Sequence, residues 1–410
     1  MNSIRIPPSK SLTHRYFILA TLAEGLSVIK NPLFSDDTYH TLQGLKNLGV
    51  RVKVEKNQVK IIGFGRNIKS HGLPIFLGDS GTSARLLVGL AALSPTPVII
   101  DGSTRLKQRP FADLFHALTS QRVHILYREK KGQLPIEIWS DSLKGGTISI
   151  SGSVSSQFIS SLLMISPFAR KNTRIKITDD LKSKPYVDLT IDAMKKFGVS
   201  VKNNAYKSFV IQSSQKYKGI SLSVEGDYSS ASYFIALSFL SGREIVIRNL
   251  NSDSKQADHT ILDAIKKLGG RAHFSKGNLT IKRSGVIKSG VIDISDCPDI
   301  ALTLGVIGLF TENHLILTGT KRLKDKESDR GEVLVQNLKK LGARVKKDED
   351  TITIWKSKLH GGEIDTYNDH RVAMSFGILA KIIPRIKIKN PEVVSKSYPD
   401  FFRDLQSVSI

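Results

Sequence analysis

Six short polar phrases, each ahead of an apolar run, are where this sequence could do chemistry. Three are Pro8-Ser9-Lys10-Ser11 before Tyr16-Phe17-Ile18-Leu19, Gly78-Asp79-Ser80-Gly81-Thr82 before Leu86-Leu87-Val88, and Gly152-Ser153-Val154-Ser155-Ser156 before Phe158-Ile159. The others are Gly226-Asp227-Tyr228-Ser229-Ser230 before Tyr233-Phe234, Cys297-Pro298-Asp299 before Ile300-Ala301-Leu302, and Asn368-Asp369-His370 before Val372-Ala373-Met374. Such phrases predict helix N-termini. The first turn of a helix leaves backbone N–H groups without intrahelical partners and carries the positive end of the dipole, so it holds anions. Any single phrase could equally be an ordinary N-cap. Six in register, several with Lys, Arg or His beside them, predict a ligand with several negative charges.

The elements that must position these phrases repeat as well. Amphipathic helices end in Leu48-Gly49, Phe197-Gly198, Leu268-Gly269 and Leu341-Gly342, each followed by an alternating segment such as Val50-Arg51-Val52-Lys53-Val54. The glycine stands where a helix C-terminus takes a left-handed residue, and the alternation predicts a hairpin. Leu118-Thr119-Ser120-Gln121-Arg122-Val123 belongs to the series with Arg122 at the glycine position, so that helix must end another way or hold Arg122 in strain. Each repeat therefore reads strand, helix, strand, helix, paired strands. Three repeats to a half divide the chain at about 8–223 and 224–410, the second half able to include 1–7. No strand is assigned ahead of Lys10.

Bulk properties narrow the function classes. The chain has 410 residues, 61 Lys and Arg against 37 Asp and Glu, and a net charge of +24, a field that attracts anions of every kind. Nucleic acid is one such anion and small phosphorylated substrates are another. Most lysines lie singly or in pairs such as Lys195-Lys196 and Lys266-Lys267, without the interleaved aromatics of a single-strand platform. No apolar run reaches membrane-spanning length and no signal-peptide core follows the start, so a cytoplasmic protein without a membrane partner is expected. One cysteine, Cys297, excludes an internal disulfide and a multi-cysteine zinc site, and histidine spacing gives no metal pattern. Gly63-Phe64-Gly65 opens no helix of dinucleotide-binding type, and no cofactor is expected.

Nine motifs in order carry a resemblance over nearly the whole chain. Pro7-Pro8-Ser9-Lys10-Ser11-Leu12-Thr13-His14-Arg15 resembles the Pro-Gly-Ser-Lys-Ser opening of the EPSP (5-enolpyruvylshikimate-3-phosphate) synthase family, and Leu77-Gly78-Asp79-Ser80-Gly81-Thr82 its Leu-Gly-Asn-Ala-Gly-Thr loop. Gln108-Arg109-Pro110, Gly152 to Phe158, Ser183-Lys184-Pro185-Tyr186, Pro298-Asp299, Lys326-Glu327-Ser328-Asp329-Arg330, Tyr367 to Arg371 and Lys396-Ser397-Tyr398-Pro399-Asp400 follow.

The resemblance implies an α/β fold of two similar domains, each of three βαβαββ repeats with helices packed inside sheets (an inside-out α/β barrel), and an active site in the interdomain cleft. It implies a monomeric, glyphosate-targeted enzyme that transfers enolpyruvate from phosphoenolpyruvate to shikimate 3-phosphate, in aromatic amino acid biosynthesis. Lys10, Ser11, Arg15, Ser155, Ser156, Gln157, Ser183, Tyr186, Asp299 and Lys326 would hold shikimate 3-phosphate. Lys10, Gly81, Arg109, Gln157, Arg330, Arg371 and Lys396 would hold phosphoenolpyruvate. Asp299, Glu327 and Lys10 would be catalytic, the two carboxylates dividing the proton transfers. Read without the resemblance, Glu327 could pair with Lys324 or Arg330, and Asp299 could be an N-cap. His370 is expected to be a packed secondary contact. The sequence departs from the family at Pro8, His14, Asp79, Leu86 and Arg322, and Asp79 would repel an anion unless a neighbour such as Arg85 pairs with it. The sister enzyme acting on UDP-N-acetylglucosamine usually has a cysteine in its reactive loop, and Asp101 to Pro110 has none. A basic nucleic-acid-binding protein is the rival of another class.

Overall fold

Apolar and small residues occupy every side of the helix that follows each polar phrase, so no single stripe can face a core and the helix must be buried all round. The computed structural model, which describes residues 2–65, 68 and 72–410, shows this in two compact units, Ser9–Val224 and the combination of Met1–Pro8 with Glu225–Ile410.

The chain opens with strand β1 (Ser3–Arg5) and then enters the unit Ser9–Val224. Its first repeat is α1 (Lys10–Leu22), β2 (Glu24–Lys30), α2 (Asp36–Asn47), β3 (Arg51–Glu55) and β4 (Gln58–Phe64). The second is β5 (Ile75–Phe76), α3 (Gly81–Ala91), β6 (Val98–Asp101), the single turn α4 (Thr104–Lys107), α5 (Ala112–Thr119), β7 (His124–Tyr127) and β8 (Ile136–Trp139). The third is β9 (Gly146–Ile150), α6 (Ser156–Ile165), β10 (Thr173–Ile177), α7 (Lys184–Lys196), β11 (Lys202–Asn204) and β12 (Ser208–Ile211), after which comes β13 (Ser221–Ser223). The sheets run β13-β2-β4-β3, β5-β6-β8-β7 and β11-β12-β10-β9. Pairing is parallel between β13 and β2, β5 and β6, and β9 and β10, and antiparallel in each hairpin.

The other unit repeats the plan with α8 (Tyr228–Ser241), β14 (Val246–Arg248), α9 (Ile261–Lys267), β15 (Gly270–Ser275) and β16 (Asn278–Arg283). Next come β17 (Gly290–Asp293), α10 (Ala301–Gly308), β18 (His314–Thr318), α11 (Arg330–Lys340), β19 (Val345–Lys347) and β20 (Thr351–Trp355). The last are β21 (Gly362–Ile364), α12 (His370–Ile382), β22 (Ile386–Ile388) and α13 (Phe401–Ser407), and the sheets run β1-β14-β16-β15, β17-β18-β20-β19 and β21-β22.

Two features differ from the sequence reading. A strand does precede Lys10: β1 lies parallel to β14 with Ile4 opposite Ile247, burying Ile4 and Ile6. Three residues are too few for a period to register. The sixth repeat, among the described residues, ends without a hairpin. Its chain turns through Pro391–Lys396 into α13, whose Phe401 ring packs against Tyr233, Phe234 and Tyr398 at centroid distances of 5.5, 5.9 and 5.6 Å.

Close helix contact needs small residues. Helices α1, α3 and α6 pack in series, and a Cβ at Gly89 would stand 2.1 Å from Ser161 Oγ. Helices α8, α10 and α12 pack mutually, joined by hydroxyl bonds from Thr303 to Ser232 (3.2 Å) and Ser375 (3.4 Å). The second helices (α2, α5, α7, α9, α11) bury one face, and all but α5 end as the Leu-Gly phrase requires, with Gly49, Gly198, Gly269 and Gly342 at φ 83°, 90°, 96° and 86°.

At the same place after α5, Arg122 has φ 67°, its N–H bonding Thr119 O at 3.1 Å while Val123 N–H bonds Leu118 O at 3.3 Å. The helix therefore keeps the shared C-terminal geometry and strains a non-glycine residue to do so. Arg122→Gly should stabilise the Ser9–Val224 unit by about 1 kcal/mol, read as a higher urea midpoint at unchanged slope. A lower midpoint would show that the arginine side chain contributes more than its backbone costs.

Candidate active site

Five of the six buried helices are capped by a side chain of their polar phrase. Ser9, Ser80, Ser155, Asp227 and Asp369 accept from the N–H groups of Leu12, Ser83, Gln157, Ser230 and Arg371. Helix α10 is instead entered through a 3-10 turn at Pro298–Ile300 with no side-chain cap. Each cap satisfies one of the several free N–H groups of its first turn.

In the unit Ser9–Val224, Lys10 Nζ bonds Asp37 Oδ2 at 2.9 Å with both side chains mostly buried. The Asp37 carbonyl accepts from Ser83 Oγ (3.0 Å), Ser83 bonds Thr41 Oγ1 (2.8 Å), and Thr41 bonds His14 Nδ1 (2.8 Å). This chain of bonds ties the start of α1 to the start of α3. Burial pushes His14 down to about 3, so its ring is neutral at ordinary pH. Gln157, at the start of α6, donates to Thr82 Oγ1 (2.9 Å) and accepts from Arg85 (2.8 Å). Arg109 reaches the same place, since a Cβ on Gly81 would lie 2.6 Å from its Nη1 and 2.7 Å from its Cζ. Asp79 accepts from the Ser103 hydroxyl. Arg85 bonds Gln157 and the Pro110 carbonyl, its guanidinium over the Phe111 and Phe158 rings at 5.3 and 5.6 Å.

Arg15 lies on the second turn of α1. It is 1% exposed and bonds Thr190 Oγ1 (2.7 Å), Ser11 O (3.0 Å) and Tyr186 O (3.1 Å), with burial pushing its guanidinium down to about 10. It pins α1 to the first turn of α7, where Ser183 holds a left-handed φ of 56°. Ser155 and Ser156 are buried at the start of α6.

In the other unit, one buried guanidinium collects three carboxylates. Arg330 donates to Asp299 (2.7 Å), Glu327 (2.6 Å) and Asp369 (2.8 Å), and Arg371 donates to the second oxygen of Asp299 at 2.8 Å. Asp369 also accepts from Ser328 Oγ at 3.0 Å. Tyr367 and Asn368, both left-handed (φ 50° and 55°), turn the chain so that Asp369 can cap α12 and face Arg330. Lys396 Nζ bonds the Asn368 carbonyl at 2.9 Å, and His370 is buried at the first position of α12.

The charges act on one another strongly. Burial favours a neutral Asp299, but Arg371, Lys326 and Arg330 outweigh it and hold the carboxyl well below the usual carboxylate range. Burial pushes the Lys326 ammonium down to about 8; Asp299 opposes the shift while Arg322 and Arg330 add to it. Burial also disfavours charge on Arg330, yet Asp369, Glu327 and Asp299 together keep it ionised well above its ordinary value.

The sequence-predicted residues thus gather in two sets: Lys10, Gly81, Arg109 and Gln157 in one unit, and Asp299, Lys326, Glu327, Arg330, Arg371 and Lys396 in the other. Asp299 is not an N-cap, and Glu327 pairs with Arg330, one of the two partners its spacing allowed. Sequence reasoning missed Asp37 as the partner of Lys10 and Asp369 as the partner of Arg330; the latter stood in view as the acid of Asn368-Asp369-His370-Arg371. Cys297 is buried, its thiol pushed up to about 12 by burial. Among the described residues no group of three or more His, Cys, Asp or Glu is placed to hold a metal ion, and no helix is long and apolar enough to cross a membrane.

The family model of EPSP synthase (3-phosphoshikimate 1-carboxyvinyltransferase) matches residues 1–405. A 3-phosphoshikimate 1-carboxyvinyltransferase of Methanoregula boonei is 38% identical over 407 residues, covering 99% of this chain and 96% of its own. Its counterpart from Pasteurella multocida is 38% identical over 414 residues, covering 97% and 93%. A solved EPSP synthase structure from Acinetobacter baumannii superposes with TM-score 0.84 at 26% identity, over 99% of this chain and 95% of that one.

Asp369→Ala should destabilise its unit by about 3–5 kcal/mol, because it strips a buried guanidinium of one partner and removes the α12 cap. Denaturant unfolding measures this. A loss below ~1 kcal/mol would mean that Asp299 and Glu327 alone satisfy Arg330.

Proposed function

The chain belongs to the EPSP synthase family, and on that premise we propose how its residues divide the transfer of enolpyruvate from phosphoenolpyruvate to the 5-hydroxyl of shikimate 3-phosphate, with release of phosphate. Each substrate carries a phosphate and a carboxylate, which is what buried arginines and lysines at helix N-termini are suited to hold. Shikimate 3-phosphate falls to Lys10, Ser11, Arg15, Ser155, Ser156, Gln157, Ser183, Tyr186, Asp299 and Lys326. Phosphoenolpyruvate falls to Lys10, Gly81, Arg109, Gln157, Arg330, Arg371 and Lys396.

The observation that carries this reading is the sharing of Arg330 by Asp299 and Glu327, at 2.7 and 2.6 Å. One guanidinium spaces two carboxylates for two proton transfers. Asp299 takes the proton of the 5-hydroxyl as its oxygen attacks C2, and Glu327 delivers one to C3; as the tetrahedral intermediate expels phosphate, Glu327 takes a proton back from C3 and the proton held by Asp299 leaves with the phosphate. Asp299 is a weak base while Arg371 and Arg330 hold it. A substrate oxyanion competing for the same N–H groups raises its proton affinity, so base strength rises with binding. Lys10 and Lys326 offset charge developing on the intermediate.

The net charge of +24 then serves small anionic substrates, which the scattering of the lysines supports over nucleic acid. The proposal is of a cytoplasmic monomer that needs no cofactor. Against transfer to UDP-N-acetylglucosamine stands the loop Asp101 to Pro110, which lacks a cysteine, while Cys297 is buried with a thiol that resists ionisation.

Phosphate release should require both substrates and neither nucleotide nor added metal ion; activity lost to a chelator and restored by a divalent ion would overturn the cofactor-free part. Asp299→Asn and Glu327→Gln should each lower kcat by about 100-fold or more with a much smaller change in KM. Near-normal turnover in either variant removes its carboxylate from the proton steps.

Gly81→Ala should act through Arg109, which its methyl would displace, lowering kcat/KM for phosphoenolpyruvate roughly 10- to 100-fold while KM for shikimate 3-phosphate changes less. Steady-state kinetics with each substrate varied in turn tests this, and an equal effect on both would place Gly81 outside the phosphoenolpyruvate subsite.

A further inference from the structure

One buried carboxyl beside the arginine cluster has no part in the mechanism above. Asp258 lies in the 3-10 turn Ala257–Thr260, is 3% exposed, and accepts from the Ser229 hydroxyl on one oxygen. Among the described residues its other oxygen, Oδ1, is buried without a hydrogen-bond partner. A carboxylate in that position is costly, whereas a neutral carboxyl is tolerated.

Helix α8 places this group relative to the anion site. Ser229, which holds Asp258, and Tyr233, whose hydroxyl takes Arg371 Nη1 at 3.5 Å, are one turn apart on the same face of α8. The same helix packs against the Asp258 turn, against the turn that carries Asp299, and against α12 that carries Arg371. The charged and titratable groups facing Asp258 are Asp227 at the cap of α8, Asp299 and Cys297 around the 298–300 turn, and Arg371 on α12, with His370 beside it.

We infer that Asp258 is a positioning residue for the oxyanion site at Arg371: its carboxyl takes a proton from solvent as an oxyanion arrives, and gives it back as the oxyanion leaves. The proposal rests on the assignment of Arg371 to a substrate oxyanion. Burial and the Asp299 charge push Asp258 up to about 7, while Arg371 pulls the other way. An oxyanion on Arg371 cancels that pull and adds negative charge, so the proton affinity rises further. The sign follows: below the ligand-free value Asp258 already carries its proton and binding is unaffected. As pH rises through about 7, binding must draw a proton from solvent and weakens.

The test uses the full chain and sulfate, whose charge is constant over this range, titrated calorimetrically between pH 6 and 9 in buffers of different ionisation enthalpy. Sulfate should bind with proton uptake near pH 7.5 and weaken on the order of fivefold from pH 6 to 8. A second weakening near 8 belongs to Lys326 losing its proton. Asp258→Asn, a permanent neutral mimic, should abolish the first step and keep the second. Ser229→Ala removes the hydroxyl that favours the ionised carboxyl and should move the first step to higher pH, which a merely structural role would not do. An unaltered first step in both variants overturns the proposal. Sulfate binding reports on this linkage whether or not the chain transfers enolpyruvate, and phosphate release reports on the transfer whatever the linkage.

Discussion

The unit that holds Asp299 depends on one buried guanidinium. Arg330 is 1% exposed and takes three carboxylates from three places in the chain: the turn before α10, the loop before α11, and the cap of α12. Removing so many charges from water costs several kcal/mol each, and only their mutual bonds return it. The arrangement is therefore all or nothing. The phrases that carry Asp299 and Asp369 must arrive at the same point, and the helices they open, α10 and α12, are buried along most of their length. The architecture of small repeats with apolar inner helices meets that requirement.

The unit Ser9–Val224 solves the same problem with less charge. Lys10 pairs with Asp37, and hydroxyls carry a chain of bonds from the Asp37 carbonyl through Ser83 and Thr41 to a neutral His14. Arg15 joins α1 to the carbonyl of Tyr186 and the hydroxyl of Thr190. Two cations of α1 thus tie different parts of the unit together: Lys10 pairs with Asp37, and Arg15 joins α1 to α7.

Much of this was legible in the residues. The Leu-Gly endings marked helix termini because left-handed backbone is chemically selective, and the polar phrases marked helix starts because unpaired N–H groups demand partners. Arg122 was legible as an anomaly, and its φ of 67° shows that tertiary context overrode the local preference. What stayed hidden was pairing at long range. Nothing near Asp37 announces Lys10, and nothing near Asp258 announces Ser229, because such partners are set by packing of helices far apart in sequence. Strand β1 was hidden for a different reason, being too short to carry a period and completed only by residues more than two hundred positions away.

That strand bears on how the chain is made. Its partner β14 is Val246–Arg248, so Ser3–Arg5 leaves the ribosome long before anything exists for it to pair with. At ordinary synthesis rates the interval is on the order of tens of seconds. Through it, the apolar side chains of Ile4 and Ile6 are without the sheet that later buries them. The Ser9–Val224 unit is held back in the same way, since its first sheet takes an edge strand from Ser221–Ser223, its last few residues. Neither unit can finish in order of synthesis: β1 stays unpaired until β14 has been translated, and β2 lacks its parallel neighbour until β13, at the far end of its own unit, has emerged.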